Sequence, residues 1–208
     1  MAGGITFLQV SVALIFFLTM ALAIMLTNKY RKSGAVQFLF WSAGLWLFAI
    51  GVLLEILFAF GVYNLVLGDL YLVDVVLIVE ALAIGSLTLV KRKSIFKAYF
   101  GYVALITAAV LISLLYNNIG NILVNRVVYG ILPLWVVITS TMATFPAAII
   151  IVVVAALSYI KKRSYKMLSI IAGVIIVSVA GTLYIVQFPA FLYYSEFIGI
   201  LLLWLGFV

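Results

Sequence analysis

The chain has no cysteine and no histidine. Disulfides, thiolate nucleophiles, iron–sulfur clusters, His-ligated haem and the usual zinc sites are thereby excluded. Acidic residues are nearly as scarce, with only Glu55, Asp69, Asp74, Glu80 and Glu196 among 208 residues. Charged residues of both signs make up 8% of the chain, against about 25% in a soluble domain. So little charge cannot coat a soluble surface of this size.

What fills the chain instead is apolar, 69% of all residues, against roughly 45–50% in soluble domains. These residues gather in long runs over 5–27, 35–61, 67–90, 95–116, 129–160, 165–187 and 189–208. A span needs ~20 residues, so the chain has room for seven helices and little else. The reading is an all-α integral membrane protein made of a single transmembrane domain. The first run lacks a charged leader region and is too long for a cleavable one, so it reads as a span. The most polar stretch runs from Asn117 to Arg126, between the fourth and fifth runs.

Eleven of the twelve basic residues fall in three clusters: Lys29, Arg31 and Lys32; Lys91, Arg92, Lys93 and Lys97; Lys161, Lys162, Arg163 and Lys166. They follow the first, third and fifth runs, and only Arg126 lies in an opposite loop. The positive-inside rule then expects the amino terminus outside and the carboxyl terminus in the cytoplasm of a cell (plasma) membrane protein. The partners expected are the bilayer and, at the basic loops, anionic lipid headgroups. Nucleic acid is not expected, because no basic face lies on a folded soluble surface. Each cluster is followed by serine, at Ser33, Ser94 and Ser164, and each serine is expected to cap the helix after it.

The segment Thr27 to Ser33 is like Ser158 to Ser164 in character, which suggests a weak repeat of three helices, a linker helix and three helices. Such a layout resembles the SWEET and PQ-loop transporters in helix count. The Pro-Gln motif of those families is absent. Seven spans also resemble rhodopsins, but the last run contains no lysine, so retinal cannot be attached there and no cofactor is expected.

Four acids fall inside apolar runs: Glu55, Asp74, Glu80 and Glu196. A carboxylate in hydrocarbon costs at least ~2.5–3.5 kcal/mol. Such groups must be neutral, paired, or facing water or a cation, and no lysine or arginine shares their runs. At ~1.5 Å per residue, Glu55, Asp74 and Glu196 lie at similar depths and Glu80 lies deeper, near the middle of its run. Glu80 is expected to face the bundle interior, neutral, with a partner from another helix; hydroxyls of the fifth and sixth helices are the candidates. A second candidate feature is a polar groove. Pro146 removes a helix hydrogen bond, and a bend there would expose Ser140 and Thr144 on the fifth helix to Ser178 and Thr182 on the sixth.

The function expected from these residues is transport of a small solute or ion, coupled to protons or cations through Glu80, Glu55, Asp74 and Glu196. The alternative is a non-catalytic membrane subunit or receptor-like sensor acting through a membrane-protein partner or a second copy. An enzyme ranks third, since no catalytic pair, Ser-based dyad or metal site is visible.

Overall fold

The computed structural model describes the backbone of residues 2–90, 92–124, 127–128, 132–185 and 189–207. Side chains are described for all of these except 2–8, 124, 127, 162, 177–185 and 189–193. The helices are α1 (Ala2–Ser33), α2 (Val36–Ala59), α3 (Leu65–Leu87), α4 (Lys93–Tyr116), α5 (Leu134–Lys162), α6 (Tyr165–Ile185) and α7 (Pro189–Phe207). Between α4 and α5, β1 (Leu123–Val124) pairs antiparallel with β2 (Val127–Val128), Leu123 opposite Val128. Five helices, α1 to α5, are long and apolar enough to cross a membrane.

Several boundaries differ from those read in the sequence, each for a local reason. Helix α1 continues through the first basic cluster and stops at Gly34, whose φ of +63° is open to glycine at little cost. Ser33 therefore ends α1 and turns its hydroxyl back to the Lys29 carbonyl at 2.7 Å; it does not cap α2, which is preceded by Ala35. Ser94 lies within the first turn of α4, with Arg92 at the cap position. Of the three serines, only Ser164 sits immediately before a helix. Helix α5 begins at Leu134, later than the apolar run that opens at Tyr129, because Pro133 stands at its cap with φ −56°. Proline's fixed φ and missing N–H suit a helix start and oppose continuation upstream. Helix α3 has a cap that the sequence reading did not single out: Asn64 Oδ1 accepts from the Leu67 N–H at 2.8 Å.

Neighbour contacts run α1 to α2, α2 to α3, α3 to α5, α5 to α6, α6 to α7, and α7 back to α1. The six helices close into a ring. Helix α4 stands outside it, packed on α3 and α5. The order of contacts is unchanged when α1, α2, α3 are exchanged for α5, α6, α7.

Direction follows from the end contacts. Lys29 Nζ donates to the Phe207 carbonyl at 2.6 Å, and Trp204 Nε1 donates to the Leu18 carbonyl at 3.0 Å. Helices α1 and α7 are thus parallel, with their C-terminal ends together. Trp41, near the start of α2, packs on Phe207 with ring centroids 4.9 Å apart. Ser169, in the first turns of α6, donates to the Leu202 carbonyl of α7 at 2.6 Å. The three basic clusters therefore collect at one end of the ring. At the other end the α4–α5 connection folds back over α2 and α3. Tyr63 donates to the Gly120 carbonyl at 2.8 Å, and Ile119, Ile122 and Val128 join Phe58, Tyr71 and Val136 in a buried apolar cluster.

Candidate functional site

Glu55 on α2, Asp74 and Glu80 on α3, and Glu196 on α7 are all buried; Glu80 is only 1% exposed and the most open of them, Glu196, 7%. One oxygen of each has no hydrogen-bond partner among the described residues: Glu55 Oε2, Asp74 Oδ2, Glu80 Oε1 and Glu196 Oε2. A native structure leaves few such atoms unpartnered, and here they belong to carboxyl groups, whose burial is the costliest.

Three of the four belong together. Glu55 interacts electrostatically with Asp74 and with Glu196, so carboxyls from α2, α3 and α7 meet at the end of the ring away from the basic clusters. Tyr71 and Asp74 are three residues apart on α3 and share a face. That face is turned to α2, where the Tyr71 hydroxyl donates to Glu55 Oε1 at 2.7 Å. Asp74 fits against α2 only because its neighbour there is glycine. A Cβ at Gly51 would lie 2.6 Å from Asp74 Oδ2, a distance real Cβ atoms do not tolerate. Small residues at helix contacts of this kind let backbones approach closely.

Glu80 stands apart. It is six residues from Asp74, about 120° round the helix, and it faces α4. Its partner there is Thr107, whose hydroxyl donates to Glu80 Oε2 at 2.8 Å. This differs from the expectation that α5 or α6 would supply the hydroxyl. The reason is connectivity: α4 returns antiparallel along α3 after a short loop, which brings Thr107 level with Glu80. Tyr99, on α4 as well, is buried and interacts electrostatically with Glu80. Asp69 is half-buried near the start of α3.

Of the groove residues, Ser140 and Thr144 are both half-buried on α5. The Thr144 hydroxyl donates to the Ser140 carbonyl one turn back, at 2.9 Å, which satisfies it within its own helix. Ser178 and Thr182 of α6 lie outside the described side chains. Helix α5 runs through Pro146, and the Met142 carbonyl, which a non-proline residue at 146 would bond, accepts instead from the Tyr102 hydroxyl of α4 at 2.5 Å.

At the basic end the ring encloses a cavity of about 40 Å³, walled by Trp41, Leu82, Ser86, Ile151, Val154, Ser158, Met167, Leu203 and Phe207. Five of the six ring helices contribute, so the cavity lies on the ring's centre. Its polar atoms are few. Trp41 Nε1 donates weakly to Ser86 Oγ at 3.4 Å, and Ser86 donates to the Leu82 carbonyl at 2.9 Å. Among the described residues no three of Asp, Glu, His and Cys come together as a metal site.

Tyr71, Thr107 and Tyr102 were not singled out in the sequence. Tyr71 could have been found from its three-residue spacing to Asp74. Thr107 and Tyr102 carry no such signal, because their roles depend on where α4 packs. No family model, curated protein or solved structure matches the chain.

Proposed function

We propose that the chain is a small polytopic transporter of a small solute or ion, coupled to protons, with all seven helices crossing a cell membrane. The amino terminus is outside, and the basic end of the ring faces the cytoplasm and anionic headgroups. The observation that carries this reading is the set of four buried carboxyls with unpartnered oxygens and no basic residue in their runs. Keeping so many ionisable groups in an apolar bundle is costly, and in membranes such groups mark ion and proton pathways. The pathway follows the ring's centre, from Glu55, Asp74 and Glu196 at the outer end to the apolar cavity at the inner one. Glu80 is the proton-carrying group beside it. Protons are favoured over a coupling metal by the lack of a three-ligand acidic group among the described residues.

Two experiments test it. The chain has no cysteine, so single cysteines at Ser33, Ser94 and Ser164 should label only from the cytoplasm, and at Asn64, Asn118 and Gln187 only from outside. Labelling of Asn118 from the cytoplasm alone overturns the seven-span topology. In vesicles loaded with a pH-sensitive dye, the reconstituted protein should move protons under an imposed potential or with one of a panel of small solutes. Glu80→Gln should fold and abolish that movement. Equal proton movement in the Gln variant removes Glu80 from the pathway.

The second reading is a non-catalytic subunit or sensor acting through a partner protein or another copy. It is favoured by the small volume of the central cavity, about 40 Å³, which is room for water but not for a larger solute. A parent protein that moves neither protons nor solutes, yet co-purifies with a membrane partner, supports that reading instead.

A further inference from the structure

Helix α4 is not part of the ring, and most of its surface is open: Leu105 is 76% exposed and Leu115 84%. Three hydroxyl contacts tie it to its neighbours. Thr107 donates to Glu80 at 2.8 Å, Ser113 and Thr139 lie 3.0 Å apart, and Tyr102 donates to the Met142 carbonyl at 2.5 Å. The last is of a different kind from the others. In an α-helix the N–H of residue i bonds the carbonyl of residue i−4, so the acceptor that Pro146 deprives is Met142. Proline has no N–H to give. Met142 is 50% exposed on the outer face of α5, where a carbonyl facing hydrocarbon has no water to turn to.

We propose that Tyr102 supplies, from α4, the hydrogen bond that Pro146 removes from α5, and so latches the weakest step of that helix. Proline breaks are where long helices flex. The latch makes the geometry of α5 depend on the position of α4, and α4 is in turn bonded to Glu80 through Thr107. Release of Tyr102 frees the step. The inference concerns α5 itself and stands apart from the transport reading.

The test is a double-mutant cycle read as a distance. Leu134 and Leu157 lie on opposite sides of Pro146 and are 69% and 57% exposed. Nitroxides on Leu134→Cys and Leu157→Cys, in a chain with no other cysteine, report the spread of α5 geometries by pulsed electron paramagnetic resonance. The labelled parent should give one narrow distance distribution, and Tyr102→Phe should broaden or shift it. Adding Pro146→Ala returns an N–H to Met142, so Tyr102→Phe in that background should change nothing. Two results overturn the proposal: a Tyr102→Phe distribution identical to the parent's, or the same broadening in the Pro146→Ala background. The cycle read by thermal unfolding is the second measurement. Tyr102→Phe should lower Tm with Pro146 present and leave it unchanged once Pro146→Ala has been made, and equal losses in both backgrounds overturn the latch.

Discussion

The two ends of the helix ring solve the same packing problem in opposite ways. At the end away from the basic loops, Glu55, Asp74 and Glu196 are drawn inside, with a tyrosine hydroxyl and a glycine notch to receive them. At the basic end the charges stay outside on the loops, and the interior is apolar around Trp41, Leu203 and Phe207. Lys29 reaches only as far as the last turn of α7, at the Phe207 carbonyl. The two signs of charge are thereby kept at opposite ends. Buried carboxyls separated in this way from every basic cluster have no ion pair to stabilise them, so only neutral donors or a passing proton can compensate their burial.

The comparison can be broken most forcefully at its glycines. Gly51→Val should drive a side chain into Asp74, and Gly85→Val should drive one into Trp41, whose Cδ1 lies 2.5 Å from the position of a Cβ there. Each should cost about 1–3 kcal/mol from overpacking, measured by thermal unfolding in detergent. A Gly51→Val protein as stable as the parent would mean that Asp74 is free to swing away, and the notch is not what holds it.

Next in size are the hydroxyls. Tyr71→Phe strips a donor from a carboxyl that already has one unpartnered oxygen, and should cost about 1–3 kcal/mol. Ser86→Ala at the opposite end removes a bond to a backbone carbonyl within one helix, and should cost about 0.5 kcal/mol. If denaturation finds the two losses equal, the ends are not energetically distinct.

Glu80 sharpens the picture from the side of α4. Glu80→Gln keeps an acceptor for Thr107, whereas Glu80→Leu does not, so the Leu variant should be the less stable by about 1 kcal/mol. The reverse order would show that relief of a buried carboxyl outweighs loss of the bond. The smallest effect expected is at the loops. Lys29→Met removes a cation from the C-terminal end of α7 and should cost about 0.3–1 kcal/mol at low salt. That loss should shrink as salt is added, which a melting series across ionic strength would read.

Much of the fold was legible in the residues because hydrophobic length and charge placement act locally. Runs of apolar residues near twenty or more in length have no soluble fate, and the observed helices follow them to within a few residues, with the largest shift where Pro133 sets the start of α5. The buried acids were legible for the same reason, since a carboxyl inside an apolar run is an anomaly visible without coordinates. Their separation into two faces of α3 followed from the six-residue spacing of Asp74 and Glu80. The serines were misread because Gly34, rather than Ser33, ends α1, and because α4 begins within the basic cluster.

By itself, then, the sequence determined that the chain is helical and apolar, that its positive charge collects in three places, and that its few acids sit where water is scarce. These are properties of single segments, fixed by side-chain transfer free energies and helix rise. Only the tertiary structure decided that six helices close a ring with α4 outside. Only it decided that Glu55 meets Asp74 and Glu196 while Glu80 meets Thr107, and that Tyr102 bonds the carbonyl Pro146 leaves. Those pairings join residues from different helices, and no periodicity within one helix records which neighbour it will pack against.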